Sequence, residues 1–285
     1  MDFKQKLDNI TKKNDSLVCV GLDSAFDKLP ESIKSHEHQQ FAFNKAIIDA
    51  THDLVCAYKP NPAFYEARGD IGIKELKLTC DYLKKTYPEI PIILDAKRGD
   101  IGNTNEGYAA YVFDYLQADA ITVMPYMGIE SLSVFFNHEG KGIIVGCHSS
   151  NPGAKEFQEK LFFPERPEGV EGDNHKPKPL YHIVAEEIMK QHGDNPNAMI
   201  FMGATFPEEL GTIREIIGDM TILAPGVGAQ EGVLEKVVRA GVNSQKAGLI
   251  INSSRGIIFA STGEDFAEKA REETEKLRDE INKYR

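Results

Sequence analysis

The stretch GLDSAF, residues 21–26, ends the first apolar run of the chain, and its reading decides between two folds. The 285 residues alternate apolar runs with helical patterns, the signature of an α/β protein built on a parallel sheet. If that sheet were open and doubly wound, its first strand would lead into a glycine-rich nucleotide turn of GxGxxG spacing. GLDSAF lacks that spacing. What remains is a (β/α)8 TIM barrel, for which about 250 residues is a typical length. A single barrel domain over 1–285 is expected.

Eight candidate strands follow from the apolar runs: SLVCVGL (16–22), LVCAYKP (54–60), PIILDAK (91–97), AITVMPY (120–126), GIIVGCH (142–148), AMIFMGA (198–204), TILAPGV (221–227) and AGLIINS (247–253). They are near-continuous rather than alternating, as parallel strands covered on both faces require. Between them lie helical patterns such as GIKELKLTCDYLKKTY and PLYHIVAEEIMKQHG, and GEDFAEKAREETEKLRDEINKYR closes the chain. One segment breaks the rhythm. Residues 155–179 carry four prolines and many charges after the fifth strand, and read as an extended βα loop on the face where such loops build sites.

A net charge of -11 argues against a nucleic-acid or membrane-surface partner, because both are anionic. Any anionic ligand therefore needs a local basic pocket. No run approaches about 18 apolar residues, and the opening residues hold no apolar core of leader type. A soluble cytoplasmic protein is expected. Cys19, Cys56, Cys80 and Cys147 form no CxxC pair and read as buried free thiols. His36, His38, His175 and His182 show no ligand spacing, so no metal is expected, and His148 reads as a structural or site-lining residue. Tyr108, Tyr111 and Tyr115 recur at helical spacing and suit helix packing or a dimer face.

The densest chemistry lies in LDAKRGDIGNT, residues 94–104. Side chains two apart on a strand share a face, about 6.6 Å apart. Asp95 and Lys97 are thus expected together at the C-terminal end of the third strand, with Arg98 pointing elsewhere and Asp100 in the turn beyond. Lys59 ends the second strand, about 4.8 Å away, and Asp23 follows the first. Lys59, Asp95, Lys97 and Asp100 can form a row of alternating sign at the catalytic face of a barrel. Each opposite pair is worth roughly 4 kcal/mol at ~4 Å before desolvation. Flanking carboxylates keep Lys97 protonated, a proton donor rather than an amine nucleophile. A substrate carboxylate pressed on Asp95 would be repelled, and a carbanion left behind would meet an ammonium.

After the seventh and eighth strands come APGVGAQEG and NSSRGI. In barrels these two loops commonly hold a phosphate. Gly226 and Gly228 allow close backbone approach, and Arg255 can bind phosphate oxygens bidentately.

With these motifs in place, the sequence resembles the orotidine 5'-phosphate decarboxylase family, in its longer bacterial-type branch, from GLD through NSSRGI. The resemblance implies a cofactor-free (β/α)8 homodimer that converts orotidine 5'-phosphate to UMP and CO2. It implies the charge row for Lys59, Asp95, Lys97 and Asp100, with Lys97 protonating C6 and Asp95 stressing the departing carboxylate. Asp23 and Lys59 would bind ribose hydroxyls, while Asp100 and Thr104 would enter the partner's site. Ser150 would read the pyrimidine edge. Gln230 would close over a phosphate held by Pro225, Gly226, Gly228 and Arg255. Rival readings are a metal-dependent sugar-phosphate decarboxylase or aldolase-type synthase, a Schiff-base aldolase, and a non-catalytic nucleotide-binding barrel.

Overall fold

The computed structural model describes residues 1–163, 176–226 and 231–285, with the backbone alone for 231 and 232. Gly228, Gln230, His175 and the middle of the 155–179 segment lie outside the described residues.

Each of the eight apolar runs contributes one parallel strand: β1 (Val18–Gly21), β2 (Ala57–Lys59), β3 (Ile93–Arg98), β4 (Ala120–Val123), β5 (Gly142–His148), β6 (Ala198–Met202), β7 (Thr221–Pro225) and β8 (Leu249–Ser253). Their spatial order is β2-β1-β8-β7-β6-β5-β4-β3, with parallel pairing along the whole sheet. The remaining gap, between β2 and β3, is bridged by Tyr58 and Ile92. There the Tyr58 N–H donates to Pro91 O at 3.0 Å, and the Asp95 N–H donates to Pro60 O at 3.0 Å. The sheet therefore curls into a nearly closed barrel whose two end strands meet through these contacts. Every residue of β1, β2, β5 and β6 is buried, which is why these runs carry few polar residues.

Longer helices pack outside: α1 (Phe3–Lys13), α2 (Gln39–Thr51), α3 (Gly69–Thr86), α4 (Gly102–Ala109), α5 (Leu180–His192), α6 (Pro207–Ile217), α7 (Glu231–Gly241) and α8 (Phe266–Asn282). Helix α1 is fixed at its start by the Asp2 carboxylate, which accepts the Gln5 N–H at 2.8 Å. It buries Phe3, Leu7 and Ile10 and pairs Lys6 with Asp119 at 2.9 Å. Asp119 also takes Lys84 at 2.7 Å, so one partly buried acid anchors two elements far from the strands' C-terminal ends. Helix α4 widens into a π-type turn over Ala110–Tyr115, where Tyr111 stacks on Tyr115 with centroids 5.7 Å apart.

At the opposite end, β1 and β8 approach very closely. A Cβ on Gly21 would lie 1.8 Å from Ser254 Oγ, so only glycine fits there, and the NSSRGI loop is pulled over β1. The described parts of 155–179 include most of a helical turn (Ala154–Phe157) and a ribbon in which Leu161–Phe162 pairs antiparallel with Lys178–Pro179. All four cysteines are buried and free.

Candidate active site

Lys59, the last residue of β2, is 2% exposed, and its ammonium donates to Asp95 Oδ2 at 2.7 Å. Asp95 Oδ1 accepts from Lys97 Nζ at 2.6 Å and from the Thr122 hydroxyl at 2.9 Å. One buried carboxylate thus bridges two ammonium groups. Burial pushes the Asp95 carboxyl upward, but Lys59 and Lys97 outweigh it and hold it well below the usual range. Burial likewise pulls Lys59 down, and the Asp95 and Asp23 carboxylates overturn that and raise it. Both groups are charged at neutral pH. Lys97 reaches into the barrel mouth, its ammonium 5.6 Å from the centroid of the Phe201 ring on β6.

The reason Asp95 and Lys97 meet differs from the simple alternation expected of a strand. Leu94 pairs with Ile121 and Arg98 with Val123, so a four-residue step on β3 faces a two-residue step on β4. Within this bulge Lys97 adopts φ +47, a conformation costly for a residue with a Cβ. Its N–H donates to Thr122 Oγ1 at 3.0 Å. Arg98 turns outward to Glu66 at 2.5 Å.

Asp100 is not part of the row within this chain. Its carboxylate accepts the Ile101 N–H at 2.7 Å, and Asn105 brackets its backbone from both sides. Among the described residues it has no lysine partner. The hydrogen-bonded row within this chain therefore joins Lys59, Asp95 and Lys97. Thr104 is exposed on the first turn of α4. Nearby surface is apolar: Ile101, Tyr126 and Met127 are 57%, 83% and 50% exposed.

A cavity of about 780 Å³ joins the charge pair to the opposite side of the barrel mouth. Asp23, Lys59 and Asp95 line one part, and Pro225, Gly226 and Arg255 another. That volume is in the range of small-molecule sites. Gly226 adopts φ +90, and a Cβ there would lie 3.5 Å from Ser150 Oγ, so the Ser150 hydroxyl stands beside this glycine. The loop carrying Ser150 is held by the Ser149 N–H donating to Gln158 Oε1 at 2.7 Å. Arg255, at the head of a four-residue helical turn, is exposed. Asp23 and Asn252 line the cavity, and among the described residues the buried Oδ1 of each has no hydrogen-bond partner, so each can accept from a ligand bound there. Lys97, Asp100, Thr104 and Ser150 are not on the wall of this cavity.

Sequence reasoning missed Thr122 and Asn252. Thr122 is the one polar residue of AITV and Asn252 the first polar residue after the apolar start of LIINS, and that interruption was the available signal. His148 is fully buried between Tyr181 and Phe206, both T-shaped against it. Among the described residues no group of three histidine, cysteine or acidic side chains is placed to hold a metal ion. No helix there is long and apolar enough to cross a membrane.

Comparison with known proteins adds four findings. The profile of the orotidine 5'-phosphate decarboxylase / HUMPS family matches residues 16–270. An orotidine 5'-phosphate decarboxylase of Cellvibrio japonicus is 45% identical over 261 residues, covering 91% of this chain and 90% of that protein. The one from Cupriavidus metallidurans is 43% identical over 259 residues, with the same coverage of both chains. Among solved structures, Leishmania donovani OMP decarboxylase superposes with a TM-score of 0.80 at 32% identity, covering 100% of this chain and 98% of that one.

Proposed function

Because the chain belongs to the orotidine 5'-phosphate decarboxylase / HUMPS family, we propose that it decarboxylates orotidine 5'-phosphate to UMP and CO2 without a cofactor. The observation that carries this reading is the Asp95 carboxylate, buried between two ammonium groups on a cavity that runs to Arg255. Both Asp95 oxygens already accept hydrogen bonds from cations. That suits electrostatic work on a substrate better than holding Mg2+, the role the acids would have in the metal-dependent rival. A Schiff base at Lys59 is disfavoured for a related reason: two acids keep its amine protonated.

In this reading the substrate phosphate sits at Gly226 and Arg255, and the ribose lies against Asp23 and Lys59. The pyrimidine carboxylate is then pressed toward Asp95. The bond from C6 to the carboxylate breaks, CO2 leaves, and the electron pair stays on C6. Lys97 gives that carbon a proton and regains one from water, which reaches its half-exposed side chain. The charges stand in place beforehand, so their stabilisation costs no reorganisation during the reaction. Binding energy from the remote phosphate seats the carboxylate against repulsion.

The active form in this proposal is a homodimer. Support comes from Asp100, whose carboxylate has no lysine partner among the described residues, and from the exposed apolar Ile101, Tyr126 and Met127. Asp100 and Thr104 would enter the partner's site.

The test is to incubate purified protein with orotidine 5'-phosphate and excess EDTA, following pyrimidine absorbance and released CO2. UMP and CO2 in equal amounts, unaffected by chelator, are expected. Failure to form UMP, or abolition by EDTA, overturns the reading.

A further inference from the structure

We propose that Thr122 is a positioning residue for the decarboxylation, its hydroxyl locking the Asp95 carboxylate and the Lys97 backbone into one unit. The inference rests on the decarboxylase reading. Thr122 lies within β4 and is completely buried. Its Oγ1 accepts the Lys97 N–H at 3.0 Å, and its own proton goes to Asp95 Oδ1 at 2.9 Å. A hydroxyl has a single proton. With a backbone N–H already pointing at its oxygen, that proton is free for the carboxylate.

The result is a closed ring. It runs from the Lys97 N–H to Thr122 Oγ1, on to Asp95 Oδ1, and back through the Lys97 ammonium, which donates to the same oxygen at 2.6 Å. The ring spans the bulge, where Lys97 sits at φ +47 and the strand's regular hydrogen bonding to β4 is interrupted. Without Thr122, the Lys97 N–H would lose its partner and the carboxylate one of its fixed donors. What then holds Asp95 Oδ1 is the half-exposed Lys97 ammonium, a donor on a flexible side chain that the strand itself does not fix. A threonine suits this task because β-branching restricts its χ1, so the hydroxyl is held by the strand itself. Thr122 touches neither cavity nor solvent, and it acts only through Asp95 and Lys97.

T122V keeps the shape and removes the hydroxyl, whereas T122S keeps the hydroxyl and removes the methyl. Because small misplacements of reacting groups can cost about a hundredfold, kcat of T122V should fall roughly 10²-fold, with KM and UMP affinity within about threefold. T122S should stay within about threefold of wild type in kcat. Amide hydrogen exchange at Lys97 should accelerate about tenfold in T122V, the equivalent of one lost hydrogen bond, and not in T122S. Should T122V not fold, T122A loses the same hydroxyl and takes its place. Wild-type turnover in T122V, or T122S failing as badly as T122V, overturns the inference. A wild-type protein that makes no UMP overturns the functional reading instead. Lys97 exchange then still decides whether the hydroxyl pins the bulge, since unchanged exchange in T122V means it does not.

Discussion

Replacing Lys97 by alanine separates chemistry from folding in this site. The Lys97 side chain is 47% exposed, so its ion pair with Asp95 is screened and worth at most about 1 kcal/mol. Its removal leaves no buried charge alone, since Asp95 keeps Lys59 at 2.7 Å and Thr122 at 2.9 Å. Alanine meets the same restriction at φ +47 as lysine, so the strain of the bulge does not change. A domain of this size shifts its midpoint by roughly 2–4 °C per kcal/mol, which bounds the loss in thermal midpoint to about 4 °C. Turnover should behave quite differently. A positioned proton donor contributes roughly 10²–10⁴-fold. In the proposed reaction the same ammonium would also face the developing carbanion, a role worth another ~10²–10³-fold where it has been measured in oxyanion holes. The two are not additive because one group supplies both, and kcat should drop by at least about 10³-fold. The assay pairs single-wavelength decarboxylation kinetics with a calorimetric melt on the same preparation. A kcat within tenfold of wild type would refute the proton-donor assignment. A midpoint lowered by well over 4 °C would refute the claim that Lys97 is energetically peripheral to the fold.

Asp95→Asn should do the reverse to stability, leaving the buried Lys59 without its nearer counter-charge at a cost of about 3–5 kcal/mol, measured by denaturant unfolding. Because folding depresses the Asp95 pKa, its contribution is present above the ordinary value of 3.8 and is lost as pH falls toward the folded value. The stability gap between wild type and D95N should therefore narrow below pH 3.8 and stay constant through neutrality. Arg255→Ala should leave the melt unchanged, since Arg255 is exposed and forms no ion pair among the described residues. It should lower kcat/KM by ~10–150-fold, the value of one hydrogen bond to a charged group, and a loss smaller than threefold would remove it from the phosphate site.

Much of the architecture is local information. A strand buried on both faces needs an unbroken apolar run, and eight such runs separated by amphipathic helices are visible residue by residue. The chemistry at the strand ends is legible for the same reason: Lys59, Asp95 and Arg255 are charged where each run stops, and burying a charge needs a partner. Thr122 and Asn252 were harder to see because a lone polar residue in a strand is compatible with packing, a turn or a site. Only its neighbours across the sheet decide which.

The order and type of the elements and the kinds of side chain at the barrel mouth follow from the residues read in line. Both depend on hydrophobic periodicity and on the cost of burying charge, and those are properties of short segments. The tertiary structure decided what depends on pairing between distant segments. It closed the ring through Tyr58 and Ile92, and it slipped β3 against β4 so that Lys97 turns back onto Asp95. It also set the Thr122 hydroxyl against Asp95 and gave the Asp100 carboxylate the Ile101 N–H as its partner. A one-residue change of register moves every side chain to the other face of a strand. Register is settled by contacts spanning 25 to 36 residues of chain, from Lys97 to Thr122 and from Lys59 to Asp95, and no local window contains them.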